Sequence, residues 1–295
     1  MRFHPLTTYA DPNITPEEAN LRLPFDKVVV ALYSNREVRQ SVVHSHPYHE
    51  FILMLSGKAV YLTNGSRYDL HPGELMLVPP GMVHAGYYDT YDRLILQIDD
   101  TFWRETLVQV GLLPPGDDAP LDFLILHADA VYNWGLRALI ERAAAAATMD
   151  DLHSRELMYR SQLVELALII RQIVSENQLG KPTASNPLVA KVAAYIQEHY
   201  RDPDLNVTQL AQVAYVSREH LSRVFKEYTM ESLYGYLTNL RMQGCRQAIA
   251  KGKSILDACT ENGFSNYSSF LKTFRKLYGM TPAEYRAQLR TALAK

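Results

Sequence analysis

Cysteine is nearly missing from this chain: two in 295 residues, Cys245 and Cys259. Such a pair staples no fold of this size and builds no metal cluster by itself. Long apolar runs are missing as well. Val28-Val29-Val30-Ala31-Leu32-Tyr33 is typical of the longest, far short of the roughly 18 residues that a membrane-spanning helix needs. Met1-Arg2-Phe3-His4-Pro5 has neither the apolar core nor the small-residue cleavage site of a secretory leader, so a cytoplasmic address and no membrane partner are expected. No Ser/His/Asp or Cys/His nucleophile arrangement is evident, and the glycines lack phosphate-cradling spacing. What is present is 47% hydrophobic and 21% charged residues, the balance of a chain that folds around real cores. The length suits two domains.

The net charge of −2 is unevenly spread. Residues 181–295 hold 16 Lys/Arg against 9 Asp/Glu, whereas residues 1–180 hold 14 against 23. A basic last third beside an acidic remainder points to a polyanion partner, the alternative being a fluctuation between solvated faces.

Texture changes in the same place. Up to about residue 100, short apolar or alternating runs read as strands: Val28–Tyr33, Ser41–His46, Phe51–Leu55, Ala59–Thr63, Glu74–Val78 and Leu94–Ile98. Asn64-Gly65, Pro72-Gly73 and Pro79-Pro80-Gly81 punctuate them, a spacing that suggests a sandwich or small barrel. Val131–Ala147 and Ser154–Ser175 are helical. The second is apolar on more than one side, so it packs either within the chain or against a second subunit as well. Asn177–Pro187 is the linker, with glycine, two prolines and no apolar stripe. Beyond it helix starts come in series: Asn186-Pro187, Asn206-x-x-Gln209, Ser254-x-x-Asp257 and Thr281-Pro282-Ala283-Glu284.

An internal repeat lies in that helical third. Leu210-Ala211-x4-Val216-Ser217-x3-Leu221-x3-Phe225-Lys226 is echoed 48–49 residues later by Ala258-Cys259-x4-Phe264-Ser265-x4-Phe270-x3-Phe274-Arg275. Each copy describes a short helix, a tight turn ending in a serine cap, and a second helix pinned by apolar residues. The opposite faces then project Arg218, Glu219, Ser222, Arg223 and Lys226 in one copy, and Asn266, Tyr267, Ser268, Leu271 and Lys272 in the other. Such groups read base edges and grip phosphates. Two units on one domain would address successive major-groove turns of double-stranded DNA, about 34 Å apart. The alternative is an all-α protein-docking module.

Residues about 188–287 resemble the C-terminal domain of the AraC/XylS family of bacterial transcription regulators, in LAQVAYVSREHLSRVFKEYTMESLYGYLTNLRMQGCRQAI and GFSNYSSFLKTFRKLYGMTPAEYR. The resemblance implies two helix-turn-helix units (about 206–227 and 254–277) joined by a linking helix at about Leu233–Ala250. It implies base contacts from Glu219, Ser222 and Arg223, and from Tyr267, Ser268, Leu271 and Lys272. Met230 stands where the family usually has glycine. Ala258 and Cys259 replace a larger aliphatic and an alanine, which would loosen the second unit.

The first half is similar to cupins: His44-x-His46-x3-Glu50-x6-Gly57 matches their first motif, and Gly73-x5-Pro79-x-Gly81-x2-His84 most of their second. Residues two apart on a strand share a face, so His44 and His46 would point together and Glu50 and His84 could converge on them. His49 would point away. Three imidazoles and a carboxylate suit a divalent Zn, Ni, Fe or Mn ion. Three readings are open: the four residues line a metal-free cavity and hydrogen-bond an effector, a metal helps to hold the effector, or the barrel is a metal-dependent isomerase or oxygenase. Fusion to a DNA reader favours sensing over catalysis, with no cofactor required. Similarity to sugar-sensing members puts Gln97 inward, hence Arg93 and Ile95 too. Tyr33, Arg36 and Tyr88 are further candidates at the mouth.

The expectation is therefore an α+β chain of several parts: an arm (1–24), a cupin-like β-barrel with flanking helices for ligand binding and dimerisation (25–176), the linker (177–187), an all-α DNA-binding domain (188–287) and a tail (288–295). It is read as a regulator, an activator that would work with RNA polymerase as a homodimer and respond to a carbohydrate or related metabolite. The rival is a metal-dependent cupin enzyme with an appended helical domain.

Overall fold

The computed structural model of the chain describes residues 27–35, 39–40, 43–63, 65–116 and 122–293. The arm and Arg36 fall outside them. Eight strands among the described residues share one sheet: β1 (Val28–Asn35), β2 (Arg39–Gln40), β3 (Tyr48–Thr63), β4 (Ser66–Leu70), β5 (Leu75–Val78), β6 (His84–Asp99), β7 (Leu124–Leu126) and β8 (Ala184–Ser185). The main path runs β1-β6-β3-β4-β8, with β2 on β6 and β5 between β3 and β7. Phe51–Leu55 and Ala59–Thr63 are thus parts of one 16-residue strand, not two. The break expected between them is a pair of register shifts, at Met54/Ser56 and Gly57/Ala59. Gly57 has φ +81, and a Cβ there would lie 1.8 Å from the Thr90 carbonyl oxygen. A glycine that reads as punctuation is a bulge that lets the ladder continue. Of the strand expected over Ser41–His46, residues 41 and 42 lie outside the described residues, and the rest holds an isolated bridge between His44 and His84.

Alternation gives β3 and β6 two contents at once. Phe51, Leu53, Leu94, Leu96 and Ile98 pack into one cluster with the helices α1 (Asp100–Gln109), α2 (Ala128–Asn133), α3 (Leu136–Ala146) and α4 (Leu152–Ser175). Ile52, Met54 and Ile95 face the other way, into an interior shared with Met76, Val78 and Tyr61. Glu50, Arg93 and Gln97 keep the same parity and are buried with them. Helix α1, unforeseen in the sequence, starts where Asp99 accepts from the Phe102 amide. The single helix expected over Val131–Ala147 is two, parted at Gly135, whose φ is +63.

The remaining helices are α5 (Pro187–His199), α6 (Val207–Ala214), α7 (Arg218–Thr229), α8 (Leu233–Ala250), α9 (Ile255–Glu261), α10 (Tyr267–Tyr278) and α11 (Pro282–Leu293). Helix α11 occupies most of the stretch read as a tail. The linker is fastened to the sheet and does not run free. The Gly180 amide donates to the Ile125 carbonyl, β8 pairs with β4, and the Asn186 amide donates to the Gly65 carbonyl. Lack of an apolar stripe excludes core packing; it leaves backbone donors able to complete a sheet edge.

Two cores divide the helical part. Val189, Val192, Ile196, Leu210, Leu221, Phe225, Leu233, Tyr236 and Leu240 form the first, which also takes in Val43, Val83 and Ala85 from the sheet. The second collects Met242, Cys245, Ile249, Ala258, Cys259, Phe270, Phe274 and Tyr285. Ala258 and Cys259, which stand where the family usually has a larger aliphatic and an alanine, are essentially sealed there. No helix among the described residues is long and apolar enough to cross a membrane.

The turn between α7 and α8 stores strain and a buried charge. Met230 takes φ +58 at the C-cap of α7, where a side chain costs about 1–2 kcal/mol. Met230→Gly is expected to raise stability by up to about 1 kcal/mol, the strain relieved less the extra chain entropy of glycine. A higher denaturant midpoint at unchanged slope checks this; a lower one contradicts it. Next to it, burial pushes the Glu231 carboxyl up to about 7, and Asn239 donates to its Oε1 at 2.6 Å. Because the folded value exceeds the unfolded one, the folded state binds more protons, and stability falls as pH rises from about 4.5 to about 7. Glu231→Gln keeps the acceptor without the charge. Its melting temperature should match the parent near pH 4.5 and exceed it at pH 8; equal values at both would show that the carboxylate is ionised without cost.

Candidate nucleic-acid interface and effector site

In the first repeat, Asn206 and Gln209 form a reciprocal capping box that starts α6, and the helix ends at Tyr215 with φ +57. Ser217 then caps α7, accepting from the His220 amide at 3.1 Å. Leu221 and Phe225 are fully buried on one side of α7. Arg218, Glu219, Arg223 and Lys226 stand exposed on the other, and Ser222 is half-buried. Arg223 donates to both Glu227 carboxylate oxygens, at 3.1 and 3.2 Å. An exposed pair of this kind contributes about 0.3–0.5 kcal/mol, little enough to exchange for a phosphate or a base edge.

The second repeat differs in one respect. Its cap is Asn266, not Ser265: the Asn266 side chain accepts from the Ser269 amide at 2.8 Å, and α10 begins at Tyr267. Asparagine caps as well as serine, so the sequence could not separate neighbours. Asn266 is therefore occupied by its own helix. Phe270 and Phe274 are fully buried, while Tyr267, Ser268 and Lys272 are exposed. Leu271 is half-buried against the second core, less open than its neighbours. Helix α8 joins the two units over Leu233–Ala250.

In the sheet domain, ligand atoms of His46, Glu50 and His84 lie within 4.8 Å of one another, and all three residues are buried. His44 is adjacent, its ring centroid 4.2 Å from that of His84. Tautomers follow from the partners. His46 Nδ1 lies 2.8 Å from the Tyr48 carbonyl oxygen and His84 Nδ1 3.1 Å from that of Met82. A carbonyl only accepts, so each Nδ1 carries the proton. Each Nε2 of a neutral ring then offers a lone pair, and these sit 3.5 and 3.8 Å from Glu50 Oε2. Three electron-pair donors facing one another call for a proton or a metal ion between them.

The electrostatics agree. Burial holds the His84 imidazole well below its ordinary value, with His44 and His46 adding to the effect. Burial alone would raise the Glu50 carboxyl; positive charge on the His46 and His84 side, together with the Gln97 amide, outweighs it and holds it below the usual carboxylate range, so an ionised Glu50 goes with a proton or another cation at the imidazoles. Gln97 donates to Glu50 Oε1 at 2.9 Å. Tyr48 stacks on His46 with centroids 4.1 Å apart; its position two residues after a motif histidine was the only signal for it. His49 points out of the interior to Asp100, 2.9 Å away.

The other candidates lie elsewhere. Arg93 is buried four residues before Gln97, about 13 Å along β6. It donates to the Tyr61 hydroxyl at 2.8 Å and lies over the rings of Tyr33 and Tyr91. Tyr33 is buried beneath it. Tyr88 is described by its backbone alone, in β6 opposite Arg39. The eight effector candidates are therefore not one lining: His44, His46, Glu50, His84 and Gln97 gather, and Arg93 with Tyr33 forms a separate group.

Two family models match the chain, an AraC-like ligand binding domain over residues 27–161 and a helix-turn-helix domain over residues 210–288. The chain is 25% identical over 247 residues to an uncharacterized HTH-type transcriptional regulator, YobQ, of Bacillus subtilis, covering 83% of this chain and 89% of that one. It is 23% identical over 247 residues to the arabinose operon regulatory protein of Salmonella typhimurium, covering 80% and 82%. To the transcriptional activator RhaS of Escherichia coli it is 24% identical over 253 residues, covering 82% and 86%. With an AraC-like ligand-binding domain before its paired DNA-reading units, the chain belongs to the AraC family of transcriptional regulators.

Proposed function

We propose that this regulator reads a specific duplex through α7 and α10 and is switched by a small molecule taken at the His46–Glu50–His84 cluster. The observation that carries the first part is the two-sidedness of the reading helices. Leu221 with Phe225, and Phe270 with Phe274, are sealed, while the polar and cationic residues opposite them are exposed. Glu219, Ser222 and Arg223 serve the first groove, and Tyr267, Ser268 and Lys272 the second. Arg223→Ala is expected to cost about 1–3 kcal/mol on the selected site and to relax base choice there. Fluorescence anisotropy on selected and scrambled duplexes checks this, and equal losses on both would contradict base reading.

The effector is a hydroxylated or anionic metabolite, most simply a carbohydrate. Resemblance to the arabinose operon regulator and the activator RhaS supports both that class and an activating action alongside RNA polymerase. A homodimer is supported by α4, where Leu157 and Leu168, eleven residues and about three turns apart, are both exposed and lie on one stripe. The protein is assigned to the cytoplasm.

The tautomers favour a metal-assisted version of the same site. His46, Glu50 and His84 would hold a divalent ion, which would give an effector oxygen a Lewis-acid anchor. His44 and Gln97 flank that position. Titration calorimetry should find one equivalent of Zn²⁺ or Ni²⁺ per chain, with affinity falling roughly 100-fold or more in Glu50→Gln. Unchanged affinity in that variant would place the metal elsewhere.

A further inference from the structure

Gln243 lies on the linking helix α8 and is nearly fully buried. Its Oε1 accepts from the Ser45 amide at 2.7 Å and the Ser45 hydroxyl at 3.0 Å, and its Nε2 donates to the Val43 carbonyl at 2.7 Å. One side-chain amide therefore meets backbone groups of the sheet domain some 200 positions away with both its donor and its acceptor. In an extended segment the carbonyl of one residue and the amide two residues on point to the same side. The residue between them faces the other way, and here that residue is His44. Its own amide and carbonyl pair with His84, at 2.9 and 2.8 Å. Val43–Ser45 is thus held on one edge by the backbone of His84 and on the other by the Gln243 amide, which takes the place of a neighbouring strand.

Each end of this arrangement reaches a functional element. On the sheet side His84 is a member of the imidazole–carboxylate cluster, and the His44 ring lies against it. On the helical side Gln243 falls where α8 passes from one core to the other. Leu240 belongs to the core of the first reading unit, and Met242 and Cys245 to that of the second. A pull on residue 243 therefore acts at the pivot between the two units. Two further hydrogen bonds cross the seam, the Asn186 amide donating to the Gly65 carbonyl at the start of α5 and the Tyr87 hydroxyl donating to the Thr229 carbonyl at 2.6 Å. The latter reaches only the end of α7.

We propose that Gln243 is the positioning residue through which events at the His46–Glu50–His84 cluster set the relative pose of the two reading units. The inference rests on the cluster being the effector site. A ligand there acts only through a different affinity for the latched and released arrangements, and movement of His84 changes the edge on which the 43–45 segment, and hence the Gln243 amide, depends. Gln243→Ala removes all three bonds. Gln243→Glu keeps the length but sets an acceptor against the Val43 carbonyl, so it should behave like the alanine variant.

Hydrogen–deuterium exchange on the full chain tests this, with Zn²⁺ alone as the probe of the cluster. In the parent, Zn²⁺ should slow exchange across residues 43–50 and 82–84 and alter it at least twofold in α8–α10. In Gln243→Ala and Gln243→Glu, with melting profiles confirming folded protein, the first response should persist and the second disappear. A response reaching α8–α10 equally in these variants overturns the proposal. A parent whose residues 43–50 ignore Zn²⁺ overturns the cation reading of the cluster instead, and Glu50→Gln then decides the latch. That change should shift exchange in α8–α10 in the parent background and leave it unmoved beside Gln243→Ala; no shift, or the same shift in both, refutes the coupling.

Discussion

Everything in this molecule depends on helices and strands that must bury one face and are then free to commit the other. In α7 and α10 the buried stripe is aromatic and aliphatic, Leu221 with Phe225 and Phe270 with Phe274. Loss of a core phenylalanine costs about 3–5 kcal/mol, far more than any exposed ion pair returns. The orientation of each reading face is thus set by groups that never touch DNA. In β3 and β6 the same division runs at period two, so that Glu50 and Gln97 sit inside while Phe51 and Leu96 anchor the helical layer outside.

The two domains solve opposite electrostatic problems. The last third keeps Arg218, Arg223, Lys226 and Lys272 exposed, and the ion pair of Arg223 with the exposed Glu227 can be exchanged at little cost. The sheet domain takes two imidazoles and a carboxylate out of water and fixes both ring tautomers with backbone carbonyls. Three electron-pair donors facing one another in that arrangement suit a proton or a cation at the centre. The junction between the domains combines apolar packing around Val43, Val83 and Ala85 with directional hydrogen bonds at Gly65, Tyr87 and Gln243.

Much of the helical part was legible in advance because its signals are local. Caps such as Asn206 and Ser217 and the pinning residues of α7 and α10 all depend on neighbours within a turn or two, whereas the extent of α8 from Leu233 to Ala250 was implied by the family resemblance. The inward position of Gln97 came from the family resemblance, and that of Arg93 followed from it by alternation. What escaped depends on distant partners. The stretch between Leu55 and Ala59 looks like a break between two strands until β6 lies beside it. The 177–187 segment looks like a free linker until β4 and the Ile125 carbonyl offer it hydrogen bonds. Arg93 and Gln97 share a face, but only the hydrogen bonds of Arg93 to Tyr61 and of Gln97 to Glu50 assign them to separate groups. Gln243 is one polar residue on a helix of mixed character, and nothing nearby in the sequence announces Val43 or Ser45.

The central claim is that two helices of one chain enter adjacent grooves of one duplex. Hydroxyl-radical footprinting of the full chain on a selected site measures this directly. The account predicts two protected windows on one face, about 10 base pairs apart, with substitution of Arg223 erasing one and substitution of Lys272 the other. A single window, or two that fade together under either substitution, would contradict it.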